Sequence, residues 1–593
     1  MQKGKISDER RNVIKAGAKT MMITAAMTQF GGLMGTLEAA TLSSEEKADL
    51  IYINGKVYTV DDKKAWAEAF AIKGGKFIAV GSNKEMEKFK GKETKVIDLK
   101  GQFVMPGLID EHLHPDMGAD NYLNVFIAAT DTWKTITGKL KDFAEKNPDK
   151  KWIYGSSIDW LLDDNGIIAN YGVPSNKSIL DTVIKDRPVA LWDQGAHAML
   201  LNSKALEVLG IRDDSPNPKG GFFVKDKNGR LTGVIRETAC TLVVNDLDNY
   251  SLEKWTQKGM VPFLQELSSY GVTAISDAYV IDRTAKSYFN MDKAGDLNQW
   301  VNLYMVTPLE YNDKKRHQAQ IEFIDSSKKY QTEQIYPAGV KYILDGSAAG
   351  KTAVMLEPFF EAGDFRGDLR YPEDKLIASI KTYADKGYAI KAHAIGDRSI
   401  RLLLDVYKTL PKRTSGAMYS VAHGVFIDPT DVPRFKAQNV VYEASPAIWF
   451  PNTGVPIIKA DIGPKRLAHA WPVSRLMADN AVVSYGSDWP VSMTPDPWPG
   501  LESIITRQVP GGSKDAFNPE FGVDLKTALR IFTLNGAKSM GIADKTGSIE
   551  AGKSADFIIL NQNIFTVSKY EIHQTKVLST VFRGSEVYTP ADK

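Results

Sequence analysis

The sequence contains a single cysteine, Cys240, among 593 residues. An intramolecular disulfide and a cysteine-based zinc site are therefore excluded. Cys240 lies in an apolar context, Ala-Cys-Thr-Leu-Val-Val, which favours a small buried residue over a catalytic nucleophile. Any metal site in this chain must be built from nitrogen and oxygen ligands.

An excess of charge of either sign is also absent. The chain has 74 lysines and arginines against 72 aspartates and glutamates, a formal net charge of +2. Proteins that bind nucleic acid normally carry a basic excess, so we predict no nucleic-acid partner. A composition of 43% hydrophobic and 25% charged residues is ordinary for a soluble protein. The length exceeds what one hydrophobic core usually supports, which predicts more than one domain.

The N-terminal region lacks an apolar run long enough to span a membrane, because Lys19 and Gln29 interrupt it. The pair Arg10-Arg11 precedes this weakly apolar stretch, as in twin-arginine export signals. We therefore expect residues 1–40 to be an export leader, and the protein to be periplasmic or otherwise exported. No stable membrane span is expected after the leader is removed. The alternative for this segment is an amphipathic N-terminal helix.

The most informative segment runs from Met105 to Pro115, Met-Pro-Gly-Leu-Ile-Asp-Glu-His-Leu-His-Pro. Residues i and i+2 of a β-strand face the same side, so His112 and His114 direct two imidazoles to one point. Imidazole is the commonest metal ligand in proteins near neutral pH. A single His-x-His pair is a weak signal, and its weight depends on polar residues elsewhere in the chain.

The middle of the chain alternates short apolar strands with helical segments such as 373–386 and 397–409. Near-continuous apolar strands separated by helices favour a parallel sheet. Eight such units predict an α/β fold, a TIM-like (β/α)8 barrel over residues 105–544. The gap between the first two strands exceeds one helix and predicts an insertion at about residues 120–265. The predicted strands are Phe103–Ile109, Gly271–Ser276, Val301–Val306, Val340–Leu344, Ala389–His393, Tyr419–His423, Val440–Glu443 and Val482–Tyr485.

Both ends of the chain are rich in β-strand signals. Residues 49–60 and 68–82 predict hairpins around Asn54-Gly55 and Gly74-Gly75. Residues 547–560 and 577–587 again predict strands. The ends therefore differ in class from the middle of the chain.

Polar residues that could bind a metal lie in or just after the predicted strands. In barrels of this kind the chemistry lies where the strands end. Each residue alone has an ordinary explanation, such as a hydrogen-bonded structural histidine or an aspartate that caps the next helix. Together they form a nitrogen and oxygen donor set that suits zinc or a similar divalent ion. The set comprises His112, His114, Lys341, His393, His423 and Asp488.

Lys341 is unusual because it lies inside an apolar strand. A buried lysine must lose the hydration of its charge, which is costly. That cost disappears if the neutral amine reacts with CO2 to form a carbamate, which can bridge two cations. Lys341 is the favoured position for such a carboxylated lysine, and Lys391, on the same strand face as His393, is the alternative.

These residues resemble the amidohydrolase superfamily, and more narrowly its family-3 branch, which includes N-substituted formamide deformylase-like proteins. The resemblance runs from about residue 48 to 588. It implies a small β-sandwich built from both chain ends, residues 41–104 and 545–593. The motifs that carry it are Pro106-Gly-Leu-Ile-Asp-x-His-x-His, Asn202-Ser-Lys-Ala-Leu, Gly233-Val-Ile-Arg-Glu, Asp345-Gly-Ser, His393-Ala-Ile-Gly-Asp, Ala422-His-Gly, Gly486-Ser-Asp-Trp-Pro and Gly547-Ser-Ile-x-x-Gly-Lys-x-Ala-Asp-Phe.

The resemblance also implies a role for each residue. His112 and His114 would hold the more buried metal with Asp488. Carboxylated Lys341 would bridge to a second metal, held by His393 and His423, although one ion instead of two stays open. A hydroxide activated at the metal would attack a carbonyl carbon, with Asp488 as general base and then general acid. His197 matches a family position that could contact substrate; its alternative is an ordinary loop histidine.

The expected function is a metal-dependent hydrolase that cleaves a C–N bond of a small-molecule N-acyl or N-formyl amide. A cyclic-amide hydrolase, a deaminase or an esterase could use the same site. A third alternative is a catalytically silent scaffold that binds a ligand or partner. The sequence leaves open whether the chain forms a homodimer.

Overall fold

The computed structural model describes residues 47–590 apart from 128–130, 159–166, 169–172, 175, 194–197, 219–220, 249–252, 349–350, 450–453 and 493. The expected leader, residues 1–40, and the predicted substrate residue His197 lie outside the described residues. Among the described helices, none combines the length and apolarity needed to cross a membrane.

Eight parallel strands form one sheet in the middle of the chain, in the spatial order of the sequence. Seven of the eight predicted barrel strands overlap strands of this sheet, and the first lies a few residues later than predicted, so the (β/α)8 fold class is confirmed. In chain order, barrel strands one to eight are Leu108–Leu113, Val272–Val280, Trp300–Val306, Ile335–Ile343, Ala389–Ala394, Ser420–His423, Val441–Ala444 and Val483–Tyr485.

Helices cover the outside of this sheet, and the longer ones present an apolar stripe to it. In the helix Asp397–Tyr407, for example, Ile400, Leu403, Leu404 and Tyr407 are all buried, which is the spacing of one helix face. The helices that follow the insertion are Glu253–Ser269, Asp282–Ala294, Lys314–Ser326, Glu373–Asp385, Asp397–Tyr407, Val432–Gln438, Gly454–Ile462, Pro464–Leu467, Val473–Ala478, Pro497–Thr506, Leu525–Ile531 and Leu534–Met540.

Barrel strands one and eight meet through the segment that follows strand eight. The Asp488 amide donates to the His112 carbonyl at 2.7 Å, and the His114 amide donates to the Trp489 carbonyl at 2.9 Å. A Cβ on Gly486 would lie only 2.5 Å from the His112 Cβ. Glycine therefore allows the backbone of the two chain segments to approach at this point.

The prediction of a single first strand over residues 103–109 is wrong. Phe103–Pro106 pairs with a strand near the C-terminus, and barrel strand one begins only at Leu108. The chain changes sheet at Gly107, where a Cβ would lie 2.2 Å from Thr273 Oγ1. A glycine thus marks the crossing, although the apolar run itself continues without a break.

Both chain ends contribute to a pair of sheets that share one core. Phe70 and Phe557 face each other across it with ring centroids 4.9 Å apart, a stabilising aromatic contact. One sheet contains Lys76–Gly81, Ala69–Lys73, Leu50–Ile53 and Lys95–Asp98. The other contains Ser585–Tyr588, Val577–Phe582, Phe557–Leu560, Phe103–Pro106, Lys56–Tyr58 and Trp66–Ala67. The short helix Asn83–Met86 packs beside the first sheet.

Only one of the two predicted hairpins in this region forms. Ala69–Lys73 and Lys76–Gly81 pair antiparallel around Gly74-Gly75, as predicted. The prediction of a hairpin around Asn54-Gly55 is wrong, because the strands on either side of this pair belong to different sheets. Asn54 adopts a φ of 58°, and the chain bends there and passes from one sheet to the other without reversing.

The insertion between barrel strands one and two forms a six-stranded sheet of its own. Cys240 is buried there at 3% exposure, and burial raises the pKa of its thiol. The sheet contains Gly221–Lys225, Leu231–Glu237, Ala198–Leu201, Val189–Asp193, Ile153–Ile158 and Val125–Phe126. Ile167–Ile168 and Val173–Pro174 form a separate pair. The helices of the insertion are Pro115–Leu123, Trp133–Lys146, Lys177–Asp181, Ser203–Val208 and Thr241–Asp248.

Candidate metal centre

Three predicted ligands converge where barrel strands one and eight end. Asp488 Oδ1 lies 3.1 Å from His114 Nε2 and 3.6 Å from His112 Nε2. Atoms bonded at ~2.0–2.2 Å to a tetrahedral zinc ion are about 3.3–3.6 Å apart. The two measured distances lie close to that spacing, so the residues present fit a divalent cation without a large rearrangement.

His423 lies on the other side of the same carboxylate. Its Nδ1 is 3.9 Å from Asp488 Oδ2, and its ring centroid is 4.7 Å from that of His112. One donor atom each from His112, His423 and Asp488 lie within 4.8 Å of one another. Asp488 therefore stands between His112 and His114 on one oxygen and His423 on the other.

His393 borders this cluster beside His423, with ring centroids 4.7 Å apart. Its Nε2 lies 3.0 Å from the Gly346 carbonyl oxygen. A carbonyl only accepts, so this nitrogen carries the proton and the lone pair of the ring is on Nδ1. His393 is thus adjacent to the three converging ligands, and its orientation is set by the loop that follows barrel strand four.

The backbone is strained at two of these residues. His423 has a φ of 69° and Asp488 a φ of 58°, in the left-handed region that side chains other than glycine rarely adopt. Such conformations cost of order 1–3 kcal/mol each and persist where the surrounding structure imposes them. Strain at the ends of two barrel strands indicates a site whose geometry matters more than local stability.

Burial keeps the imidazoles neutral. Burial lowers the pKa of His112 well below the ordinary value, and the nearby Lys341 lowers it further. Burial lowers the pKa of His423 in the same way, and His393 adds to that effect. Burial also lowers the pKa of His114, against the opposing hydrogen bond with Asp488. Neutral imidazole is the form that binds metal ions. His114 Nδ1 is buried and has no hydrogen-bond partner among the described residues.

Lys341 lies directly at the cluster, with Nζ 2.8 Å from His112 Nε2. Its side chain is almost fully buried, and burial lowers the pKa of the amine to about 8. A substantial fraction of this lysine is therefore neutral in mildly alkaline solution. Neutral amine is the form that can react with CO2.

Lys391, the alternative, is engaged elsewhere. Its Nζ donates to Glu443 Oε1 at 2.5 Å, to Glu111 Oε2 at 2.9 Å and to the Glu111 carbonyl at 2.7 Å. Burial lowers the pKa of this amine, but the two carboxylates outweigh burial and raise it. All three protons of the ammonium group are in use, so the geometry favours Lys341 as the reactive lysine.

Sequence reasoning missed Glu443, the partner of His112. Glu443 Oε2 lies 2.7 Å from His112 Nδ1, and because a carboxylate only accepts, Nδ1 carries the proton. The lone pair of His112 is then on Nε2, the atom that faces Asp488 and Lys341. The available signal was an acidic residue at the end of a predicted apolar strand.

Glu111 was missed for a different reason. Ile275 pairs with Asp110 and Asp277 with Leu113, so Ser276 alone opposes both Glu111 and His112. This is a β-bulge, which redirects side chains and is frequent beside active sites. Both side chains reach residues of barrel strands five or seven, which lie across the barrel interior. Simple alternation would have placed Glu111 and His112 on opposite faces.

The remaining described histidines lie away from the cluster. His317 and His573 are half-buried and His469 is exposed. His573 Nδ1 bonds to Glu502 at 2.7 Å.

Comparison with known proteins places the chain among hydrolases. A family model described as the amidohydrolase family matches residues 95–588. The putative amidohydrolase YtcJ of Bacillus subtilis is 24% identical over 91% of this chain and 99% of its own length. The N-substituted formamide deformylase of Arthrobacter pascens is 25% identical over 90% of this chain and 97% of its own.

A solved structure has the same fold. An uncharacterised metal-dependent hydrolase from Pyrococcus horikoshii superposes with a TM-score of 0.70 at 22% identity, over 88% of this chain and 99% of its own. The family model covers most of the chain, including every strand of the barrel. The chain belongs to the amidohydrolase family and is a hydrolase.

Proposed function

We propose that this protein is a metal-dependent hydrolase that cleaves the C–N bond of an N-acyl or N-formyl amide. The observation that carries the proposal is the convergence of His112, His114 and Asp488, distant in sequence, on distances of 3.1 and 3.6 Å. The choice of bond is supported by similarity to the N-substituted formamide deformylase of Arthrobacter pascens. A catalytically silent scaffold would have no need of buried, strained ligands in this arrangement.

His112, His114 and Asp488 would hold the first cation, which we propose to be zinc because the donors are imidazole and carboxylate without thiolate. When bound, a divalent cation polarises a carbonyl oxygen and lowers the pKa of water to about 7. A second cation would be held by His393 and His423 together with carboxylated Lys341. Both the second ion and the carbamate belong to this proposal.

Asp488 is the proposed proton carrier. It is buried at 6% exposure, and its two oxygens face different histidines. In hydrolysis it would take a proton from the attacking water and return it to the leaving nitrogen, as general base and then general acid. Its Oδ1 lies 3.1 Å from His114 Nε2, and both atoms would bind the first cation, which would fix the carboxylate.

Elemental analysis of protein purified without chelator, followed by a substrate panel, tests the proposal. We expect one or two zinc ions per chain and turnover of N-formyl or N-acyl amides. Cyclic amides, amino-substituted heterocycles and esters complete the panel, because the same site could act on each. A protein that holds no divalent metal and hydrolyses no member of the panel would refute the proposal.

We also propose that the N-terminal segment directs export by the twin-arginine route, which would make the protein periplasmic. Replacement of Arg10 and Arg11 by lysine should retain the full-length chain in the cytoplasm. Cell fractionation and the size of the recovered chain measure this. Equal export of the variant would leave the amphipathic-helix alternative.

A further inference from the structure

A fully buried polar network crosses the barrel beneath the metal centre. Lys391 of barrel strand five connects Glu111 of strand one to Glu443 of strand seven. Ser276 of strand two donates to Glu111 Oε1 at 2.8 Å, and the ring of Tyr304 lies 4.5 Å from the ammonium nitrogen. All of these side chains are inaccessible to solvent.

Every polar atom of the two carboxylates and the ammonium group has a partner. Glu111 accepts from Ser276 and Lys391, and Glu443 accepts from Lys391 and His112. Lys391 uses its third proton on the Glu111 carbonyl. A chain of hydrogen bonds therefore runs from Lys391 through Glu443 to His112 Nδ1. The other nitrogen of that ring, Nε2, faces the proposed cation.

Stability alone is a poor reason for such a network. Buried ion pairs often contribute little, since the loss of hydration offsets the attraction between the charges, and apolar residues of similar size can replace them. A carboxylate on the far nitrogen of a metal-binding histidine has a specific effect: it fixes the tautomer and the ring orientation and makes the ligand more basic.

We infer that Lys391 is a positioning residue for the metal centre, which acts through Glu443 to hold His112 with its Nε2 lone pair towards the cation. This inference rests on the proposed function. It assigns Lys391 a role in metal affinity, distinct from carboxylation and from contact with substrate. Without Lys391, Glu443 would keep one bond to His112 but would lose the contact that sets its own direction.

Zinc affinity of the purified apoprotein, measured by competition with a chromogenic chelator, tests this. Glu443→Gln is nearly isosteric but exchanges one acceptor oxygen for a donor. Lys391→Met with Glu111→Gln removes one charge of each sign, so the net charge at the centre is unchanged while Glu443 loses its anchor. We expect both proteins to bind zinc ~10–100-fold more weakly than the wild type, the range seen when such partners of a ligand are lost.

Asp556→Asn is the matched control. Asp556 is also a buried, hydrogen-bonded carboxylate, which accepts from Trp300 Nε1 at 2.8 Å. Its backbone carbonyl accepts from the Gly107 amide, just before barrel strand one begins, so Asp556 lies at the end of that strand opposite to His112. A loss of stability alone would affect this variant as well, whereas zinc affinity should stay at the wild-type value. The visible absorption of cobalt-loaded protein should shift in Glu443→Gln and remain unchanged in Asp556→Asn.

If the double variant does not fold, Lys391→Arg replaces it, because a planar guanidinium keeps the charge but cannot reproduce the three bonds of the ammonium group. Wild-type zinc affinity in Glu443→Gln, in the double variant or in Lys391→Arg would overturn the inference while the proposed function stands. A wild-type protein that binds no divalent metal would overturn the inference, and would overturn the proposed function as well if it hydrolyses no member of the substrate panel.

Discussion

The polar groups inside the barrel and those at its carboxyl end follow opposite rules. Inside, every polar side-chain atom of Lys391, Glu111 and Glu443 has a partner, with Ser276 and His112 completing the set. At the rim, His112 Nε2 and His114 Nε2 face one carboxylate oxygen, His114 Nδ1 has no partner among the described residues, and Asp488 adopts a positive φ. The interior is complete without any addition, whereas the rim has the donors and spacing of a site that is completed by a cation.

The difference indicates that neighbouring residues of barrel strand one have different roles. The bulge at Glu111 and His112 turns two consecutive side chains inward, one into the closed network and the other to the rim. Changes at the rim should therefore affect chemistry more than folding. Changes in the interior should affect both.

Asp488→Asn should have the largest effect on activity. Asparagine keeps the size of the side chain but cannot carry the proton, and general acid–base groups contribute ~10²–10⁴-fold to rate. We expect kcat to fall in that range with little change in melting temperature. Steady-state kinetics and thermal unfolding measure the two quantities, and undiminished kcat would remove Asp488 from the chemistry.

Lys341→Ala should separate the two lysines. We expect lower zinc stoichiometry and lower activity, with partial rescue by acetate, whose carboxylate can take the place of a carbamate. In the wild type, bicarbonate should increase activity more at pH 9 than at pH 7, because the amine with a pKa of about 8 becomes neutral as the pH rises. Rescue of a Lys391→Ala protein instead would reverse the assignment.

Gly486→Ala should have a smaller effect, on the joint between barrel strands one and eight. The added Cβ would lie 2.5 Å from the His112 Cβ, and relief of such a clash costs about 1–3 kcal/mol. Zinc affinity should fall together with stability, since His112 is the residue displaced. Gly138→Ala is the control: it lies in a helix with nothing within 4 Å of the new Cβ, so it should leave zinc affinity unchanged and increase stability slightly.

The grouping of residues at the strand ends was predictable from sequence, because parallel strands of a barrel end on one face. That rule alone places together His112, His114, His423 and Asp488. Glu111 was not predictable, since the bulge that turns it inward leaves no mark in the hydrophobic pattern. For Glu443, a strand of four residues, buried on both faces, gives no periodicity that distinguishes inside from outside.

The ends of the chain show a similar limit. The pair Asn54-Gly55 is typical of a hairpin turn, yet pairing with strands distant in sequence determines which sheet each flanking strand joins. Strand Lys56–Tyr58 pairs with Phe103–Pro106, and Leu50–Ile53 pairs with Lys95–Asp98. The chain does not reverse at Asn54-Gly55: residues on both sides of it pair antiparallel with the continuous segment 66–72, so long-range packing overrode the turn chemistry.

X-ray absorption spectroscopy at the zinc edge reports directly on the atoms that bind the cation. We expect a first shell of nitrogen and oxygen atoms at ~2.0–2.2 Å, with imidazole scattering that decreases in His112→Ala and in His114→Ala. A shell that is identical in the wild type and in both variants would contradict this expectation, because the zinc would then be bound somewhere other than the meeting point of barrel strands one and eight.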